Sequence, residues 1–219
     1  MHHDSTTDIE TLTADIREAL ASGEHVQETV HRLTLKAMHA RHVDPDSLRR
    51  IITAVMQGVH DGATQHLLHT ANQAQAAKTQ ITAAIAGLDT ALAGFAQASK
   101  LAIEEAAGQA RKYSDTELSR TRSDLEGLEN LFLDTLHHTA STAQGLIADI
   151  LHDLGKHARN NGTAVGSQLR ETLATLAQQV AAVGHAQLET GVTLAQKTAE
   201  FVGKFASGVL SGIKDRNHH

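Results

Sequence analysis

Ile81-Thr82-Ala83-Ala84-Ile85-Ala86-Gly87-Leu88-Asp89-Thr90-Ala91-Leu92-Ala93-Gly94-Phe95 is the stretch whose reading decides the fold class. Its large apolar residues, Ile81, Ile85, Leu88, Leu92 and Phe95, step by four, three, four and three. That spacing draws one apolar seam along a helix and leaves Thr, Ala, Gly and Asp89 on the other faces. The same step recurs at Leu136, Ala140, Ala143, Ile147, Ile150 and Leu154, and again at Leu169, Leu173, Leu176, Val180 and Val183. Seams of this kind lower their free energy by burying each other, so the expected fold is an all-α, elongated antiparallel helical bundle of long coiled-coil-like helices with shorter N-terminal helices.

Composition supports this reading. The chain has 219 residues, enough for a substantial core. With four Phe, one Tyr and no Trp, that core is built from Leu, Ile, Val and Ala. The single proline, Pro45, leaves the rest of the chain free of proline breaks. The absence of Cys excludes disulfides and thiolate metal sites. A net charge of −6 argues against nonspecific nucleic-acid binding. The N-terminus lacks a basic-then-apolar leader pattern. The charge-free run Thr172 to Leu188 carries Gln178, Gln179, His185 and Gln187, so it is a poor membrane span. These features predict a cytoplasmic protein with no transmembrane segment.

Taken in order, Asp8 to Ala21 and Glu24 to Arg41 read as short helices separated by the stop signal Ser22-Gly23. Asp44 can cap a third helix with Pro45 in its first turn. From Pro45 the apolar pattern runs to about Ala106, with Gly58 and Gly62 as a point of softening. Unbroken, such a helix spans roughly 100 Å. Ser114-Asp115-Thr116-Glu117 has the capping-box pattern and can start another helix after a reversal. That helix is expected to continue to Leu154. Asn160-Asn161-Gly162-Thr163 predicts a tight reversal that sets Ile150 and Leu154 against Leu169 and Leu173. The last helix runs from about Ala164 to Ile213, with a shift of phase near Gly184. Two regions follow: 1–44, with short helices, and 45–219, the long-helix bundle.

No constellation points to catalysis. There is no Gly-x-Ser-x-Gly elbow and no Gly-x-x-x-x-Gly-Lys loop. Glu104 and Glu105 are adjacent and project about 100° apart on a helix. The expectation is a non-enzymatic protein without a cofactor. Sixteen histidines are the compositional oddity. With Val26 and Val30 inward, His25, His31, His39 and His42 project outward and form a face that titrates near neutral pH. A competing reading is metal capture, because His39 with His42, and His66 with His69, are spaced i and i+3 and can share one ion. Asp134 with His137, and Asp149 with His152, repeat that spacing with a carboxylate. Glu28-Thr29-Val30-His31 matches one quarter of a di-iron bundle site, and the partner elements are missing.

The C-terminal stretch carries a second apolar pattern. Val192, Phe201, Val202, Phe205, Val209, Leu210 and Ile213 form a widened face with Lys197, Lys204 and Lys214 among the few charges. Such a helix suits packing within the bundle, and equally a lipid or polymer surface or a second copy of the chain. The Ala- and Gln-rich, proline-poor segment Leu194-Ala195-Gln196-Lys197-Thr198-Ala199-Glu200-Phe201 resembles the phasins, which coat polyester granules in bacteria, and exchangeable apolipoprotein helices. The resemblance is compositional, spans the last third of the chain and carries over no functional residue. It implies a homo-oligomer that covers an apolar surface. The alternative is a His-rich, metal-binding or pH-responsive bundle.

Overall fold

Eight helices and no strand occur among the described residues, and the chain is all-α. The computed structural model describes residues 3–39, 44–66, 71–108 and 115–186. The helices are α1 (His3–Ser22), α2 (Val26–His39), α3 (Pro45–His66), α4 (Ala71–Gly108), α5 (Asp115–Glu126), α6 (Leu128–Thr142), α7 (Gly145–Asn161) and α8 (Ala164–Ala186).

The punctuation has local causes. Gly23 ends α1 in the left-handed region at φ 69°, and its amide donates to Ala19 O. Asp44 caps α3: its Oδ1 accepts the Ser47 amide at 2.7 Å, and Pro45 follows where no donor is needed. Gly162, at φ 84°, ends α7 with its amide on Ala158 O at 2.9 Å.

The decisive seam behaves as its spacing requires. Ile81, Ile85, Leu88 and Leu92 are buried in α4, and Phe95 is half-buried against the core. Ala77, Ala84 and Ala91 are buried on an adjoining stripe, so α4 carries neighbours on two sides, chiefly α2 and α8. This 38-residue helix is the hub of one continuous apolar cluster that extends from Leu12 to Leu176. By length and composition its Ala74–Glu105 portion is also apolar enough to cross a membrane; within the fold it packs between other helices.

The arrangement differs from three long hairpin-linked helices in four respects. First, Gly58 and Gly62 do not soften α3, which is continuous through both. They are points of close approach. A Cβ on Gly58 would sit 2.7 Å from Thr13 O and 2.8 Å from Ile16 Cβ, and one on Gly62 3.0 Å from Leu20 Cβ. The interruption in the Pro45-to-Ala106 pattern falls instead between His66 and Ala71.

Second, the shorter N-terminal helices lie along the longer ones, α1 on α3 and α2 on α4. As the α1 residue rises from Thr13 to Leu20, its α3 neighbour rises from Ala54 to Gly62, so the two run in the same direction. Likewise Gln27 and Val30 meet Gly87, and Leu35 meets Gly94, which makes α2 and α4 parallel.

Third, the Leu118-to-Leu154 pattern is three helices. Gly127 divides α5 from α6 while keeping helical dihedrals, and Ala143-Gln144 is extended ahead of Gly145 at φ 56°. There the chain reverses, bringing Gly155 onto Leu136 and His152 onto His137. The apolar pattern stays in phase through this turn: Leu136 and Ala140 of α6 and Ile147 and Leu151 of α7 are all buried, and the two helices pack on each other.

Fourth, the turn at Gly162 does not set Ile150 and Leu154 on Leu169 and Leu173. α7 packs mainly on α6 and also on α4, whereas α8 packs on α4 and α5. The reason is visible at the start of α8.

Candidate functional site

The densest polar geometry lies where α4, α6 and α8 meet. The first three amides of α8 have no partner within the helix. Asp89, from α4, accepts two of them: Ala164 N to Oδ2 at 2.8 Å and Val165 N to Oδ1 at 2.9 Å. Thr163 Oγ1 accepts the third, from Gly166, at 2.9 Å, and its hydroxyl donates to Glu129 Oε1 at 2.5 Å. Gly166 has no side chain because the Glu129 carboxylate occupies that space. Further along the pair, buried Thr172 donates to Ala96 O at 3.0 Å, and Lys100 pairs with Glu171 at 3.5 Å. The positive end of α8 is thereby fixed to α4, and α8 lies parallel to it.

Burial pushes the Asp89 carboxyl above its ordinary range. The amides of Val165 and Ala164 pull it down, and the nearby Glu129 charge raises it again. Asp89 uses both oxygens on backbone donors, and Glu129 is engaged by Thr163. This node is a tertiary helix cap in which the bonding capacity is spent on structure. Pattern reading missed it. The signal was present: Asp89 is the one charged residue between Lys78 and Lys100.

The histidines divide differently from their seam positions. His25 is exposed, in a left-handed conformation at φ 47°, and lies 3.9 Å from the Glu28 carboxylate. His31 and His39 are half-buried, a correction to the expected outward face. α2 packs against α1, α3 and α4 together, so its buried arc takes in Thr34 and Met38 beyond the Val26-Val30-Leu33 seam. Burial lowers both imidazoles below their ordinary value, with Glu28 working against the shift at His31. His39 Nε2 is shielded from solvent and has no hydrogen-bond partner. An open cleft of about 490 Å³ between α2 and α4 is lined by His25, Glu28, His31 and Thr90, among others.

The metal pairs read from spacing fall largely outside the described residues. His42 and His69 lie outside the described residues, as does the side chain of His66, which leaves His39 alone. Among the described residues no three His, Asp or Glu side chains are grouped to hold an ion. Val192, Phe201, Val202, Phe205, Val209, Leu210 and Ile213 also lie outside the described residues. The structure does bring together His137 and His152, which stand fifteen positions apart in sequence, with ring centroids 5.9 Å apart.

Residues 2–218 match the model of a family described as a family of unknown function (DUF6781), and the chain belongs to that family. No curated protein and no solved structure matches it.

Proposed function

We propose that this chain is a non-enzymatic structural or interaction protein that self-associates and covers an apolar surface through Val192 to Ile213. One observation carries the reading. The bundle closes over its own core: among the described residues the only exposed large hydrophobics are Leu101 and Leu146. They are far smaller than a face that could receive Val192, Phe201, Val202, Phe205, Val209, Leu210 and Ile213 together. In this reading that stripe serves a second copy or a lipid or polymer surface, as the phasin-like composition suggests. Each large side chain buried there contributes about 1.5–3 kcal/mol before ordering costs.

The test is flotation of the full chain with phosphatidylcholine vesicles, together with light scattering. The wild type should float or form oligomers. Phe201→Ser with Phe205→Ser should abolish both while helicity by circular dichroism is kept. A monomeric wild type that ignores vesicles overturns the reading.

A second reading, a pH-responsive bundle, draws on His31 and His39, whose neutral forms are favoured by burial. It concerns the stability of the described bundle and is compatible with the first.

A further inference from the structure

The reversal at Ala143-Gln144-Gly145 folds α7 back on α6 and opens a partly enclosed cleft of about 340 Å³ between them. Its lining residues are His137 from α6, and Leu151, His152, Gly155, Lys156, Arg159 and Asn160 from α7. The floor is apolar: Leu151 is fully buried, and Gly155 leaves room over Leu136, whose nearest atom would be 3.8 Å from an added Cβ. The walls are basic. Two imidazoles, an ammonium, a guanidinium and an amide face one space, and no carboxylate lines it. In a chain of net charge −6 this is a local inversion of sign.

The basic groups are not neutralised by neighbours. Lys156 and Arg159 make no ion pair or side-chain hydrogen bond among the described residues. Asp134 and Asp149 precede His137 and His152 by three residues on their own helices, yet neither aspartate forms an ion pair with either imidazole. Asp153 and His138 also belong to these helices and do not line the cleft; His157 is engaged with Asn161 at 2.8 Å. α3 and α4, the other helices packed on α7, contribute no lining residue. A position near the C-terminus of α7 suits Lys156 and Arg159 by the helix dipole alone. That does not account for the two imidazoles set edge to face at 5.9 Å and 63° beside them.

We propose that this cleft binds a phosphate group, as free phosphate or as a phosphomonoester headgroup, and that binding takes up protons. Histidine is the side chain whose charge ordinarily changes between pH 5 and 8. Both imidazoles line the one cleft, so an anion held there offsets the charge that each gains with a proton, and anion and protons bind together. Arg159 supplies the planar fork that matches a phosphate edge, and Lys156 a point charge. The cleft lies on α6 and α7 and does not depend on the role of Val192 to Ile213.

The test is titration calorimetry of the full chain with inorganic phosphate in metal-free buffer at pH 6 and pH 8. Vesicles with and without phosphatidic acid form a second arm. Phosphate should bind at pH 6, weaken about 10-fold or more at pH 8, and be lost in Lys156→Ala/Arg159→Ala and in His137→Gln/His152→Gln. All four side chains are exposed, so helicity should be unchanged. Calorimetric binding identifies free phosphate as sufficient. Binding seen only on phosphatidic acid vesicles, and lost in both variants, identifies the headgroup. No binding in either arm, equal binding at both pH values, or binding that survives both double substitutions overturns the proposal.

Discussion

Replacing Gly58 and Gly94 by Ala, one at a time, should change stability in opposite directions. Both glycines lie within helices, α3 and α4, where Gly→Ala raises helix propensity by about 1 kcal/mol. Their surroundings differ. At Gly94 the nearest atom to an added Cβ is Leu35 Cδ2 at 4.0 Å, an ordinary contact. At Gly58 the Cβ would meet Thr13 O at 2.7 Å, Ile16 Cβ at 2.8 Å and Ile16 Cγ2 at 2.9 Å. Thr13 O is backbone and cannot swing aside, so α1 must move off α3, and overpacking of this kind costs about 1–3 kcal/mol. Gly94→Ala should therefore gain about 0.5–1 kcal/mol, and Gly58→Ala, whose overpacking outweighs the propensity gain, should lose up to about 2 kcal/mol net. Urea unfolding followed at 222 nm measures both. In thermal scans the two variants should lie on opposite sides of wild type, separated by up to roughly 10 °C for a chain of this size. A Gly58→Ala protein as stable as Gly94→Ala would refute the close α1–α3 packing.

Asp89→Ala should cost about 1–2 kcal/mol, because Ala164 and Val165 lose their acceptor, and Asp89→Asn, which keeps one acceptor, should cost less; denaturant midpoints at pH 7 check both. The pH dependence at the histidines follows from His31 and His39, both lowered from the ordinary 6.5 by burial. The unfolded chain takes up protons first, so their contribution is present above pH 6.5 and is lost as pH falls through the lower folded values. Unfolding curves from pH 8 to pH 5 should show this fall, and His31→Gln/His39→Gln should flatten it; an unchanged slope would remove these two residues as its source.

Much of the architecture was legible because local chemistry and global fold agree. The Ile81-to-Phe95 seam, the Asp44 cap, the Gly23 stop and the Thr163 start all follow from side-chain spacing or a single hydrogen bond. Partner choice was less legible. A one-dimensional pattern gives the buried face of a helix and says nothing about which other face it meets, so α8 was expected on α7 and lies on α4. Asp89 decides that pairing through bonds across 75 and 76 residues. The Gly145 reversal was hidden because the apolar repeat stays in phase through it. Gly58 and Gly62 were read as weaknesses of one helix, whereas their role belongs to the pair α1–α3. Of the residues lining the α6–α7 cleft, His137 and His152 were marked by two Asp-x-x-His spacings, and the hairpin joins these histidines without pairing either with Asp134 or Asp149.

We propose that α1–α8 form a self-sufficient bundle and that the Val192-to-Ile213 stripe engages another surface. Hydrogen–deuterium exchange of the full chain, with and without phosphatidylcholine vesicles, tests it most directly. The account predicts that vesicles add protection within residues 188–213 and leave exchange in α1–α8 unchanged. Added protection absent from 188–213, or lost protection throughout α4 and α8, would contradict it.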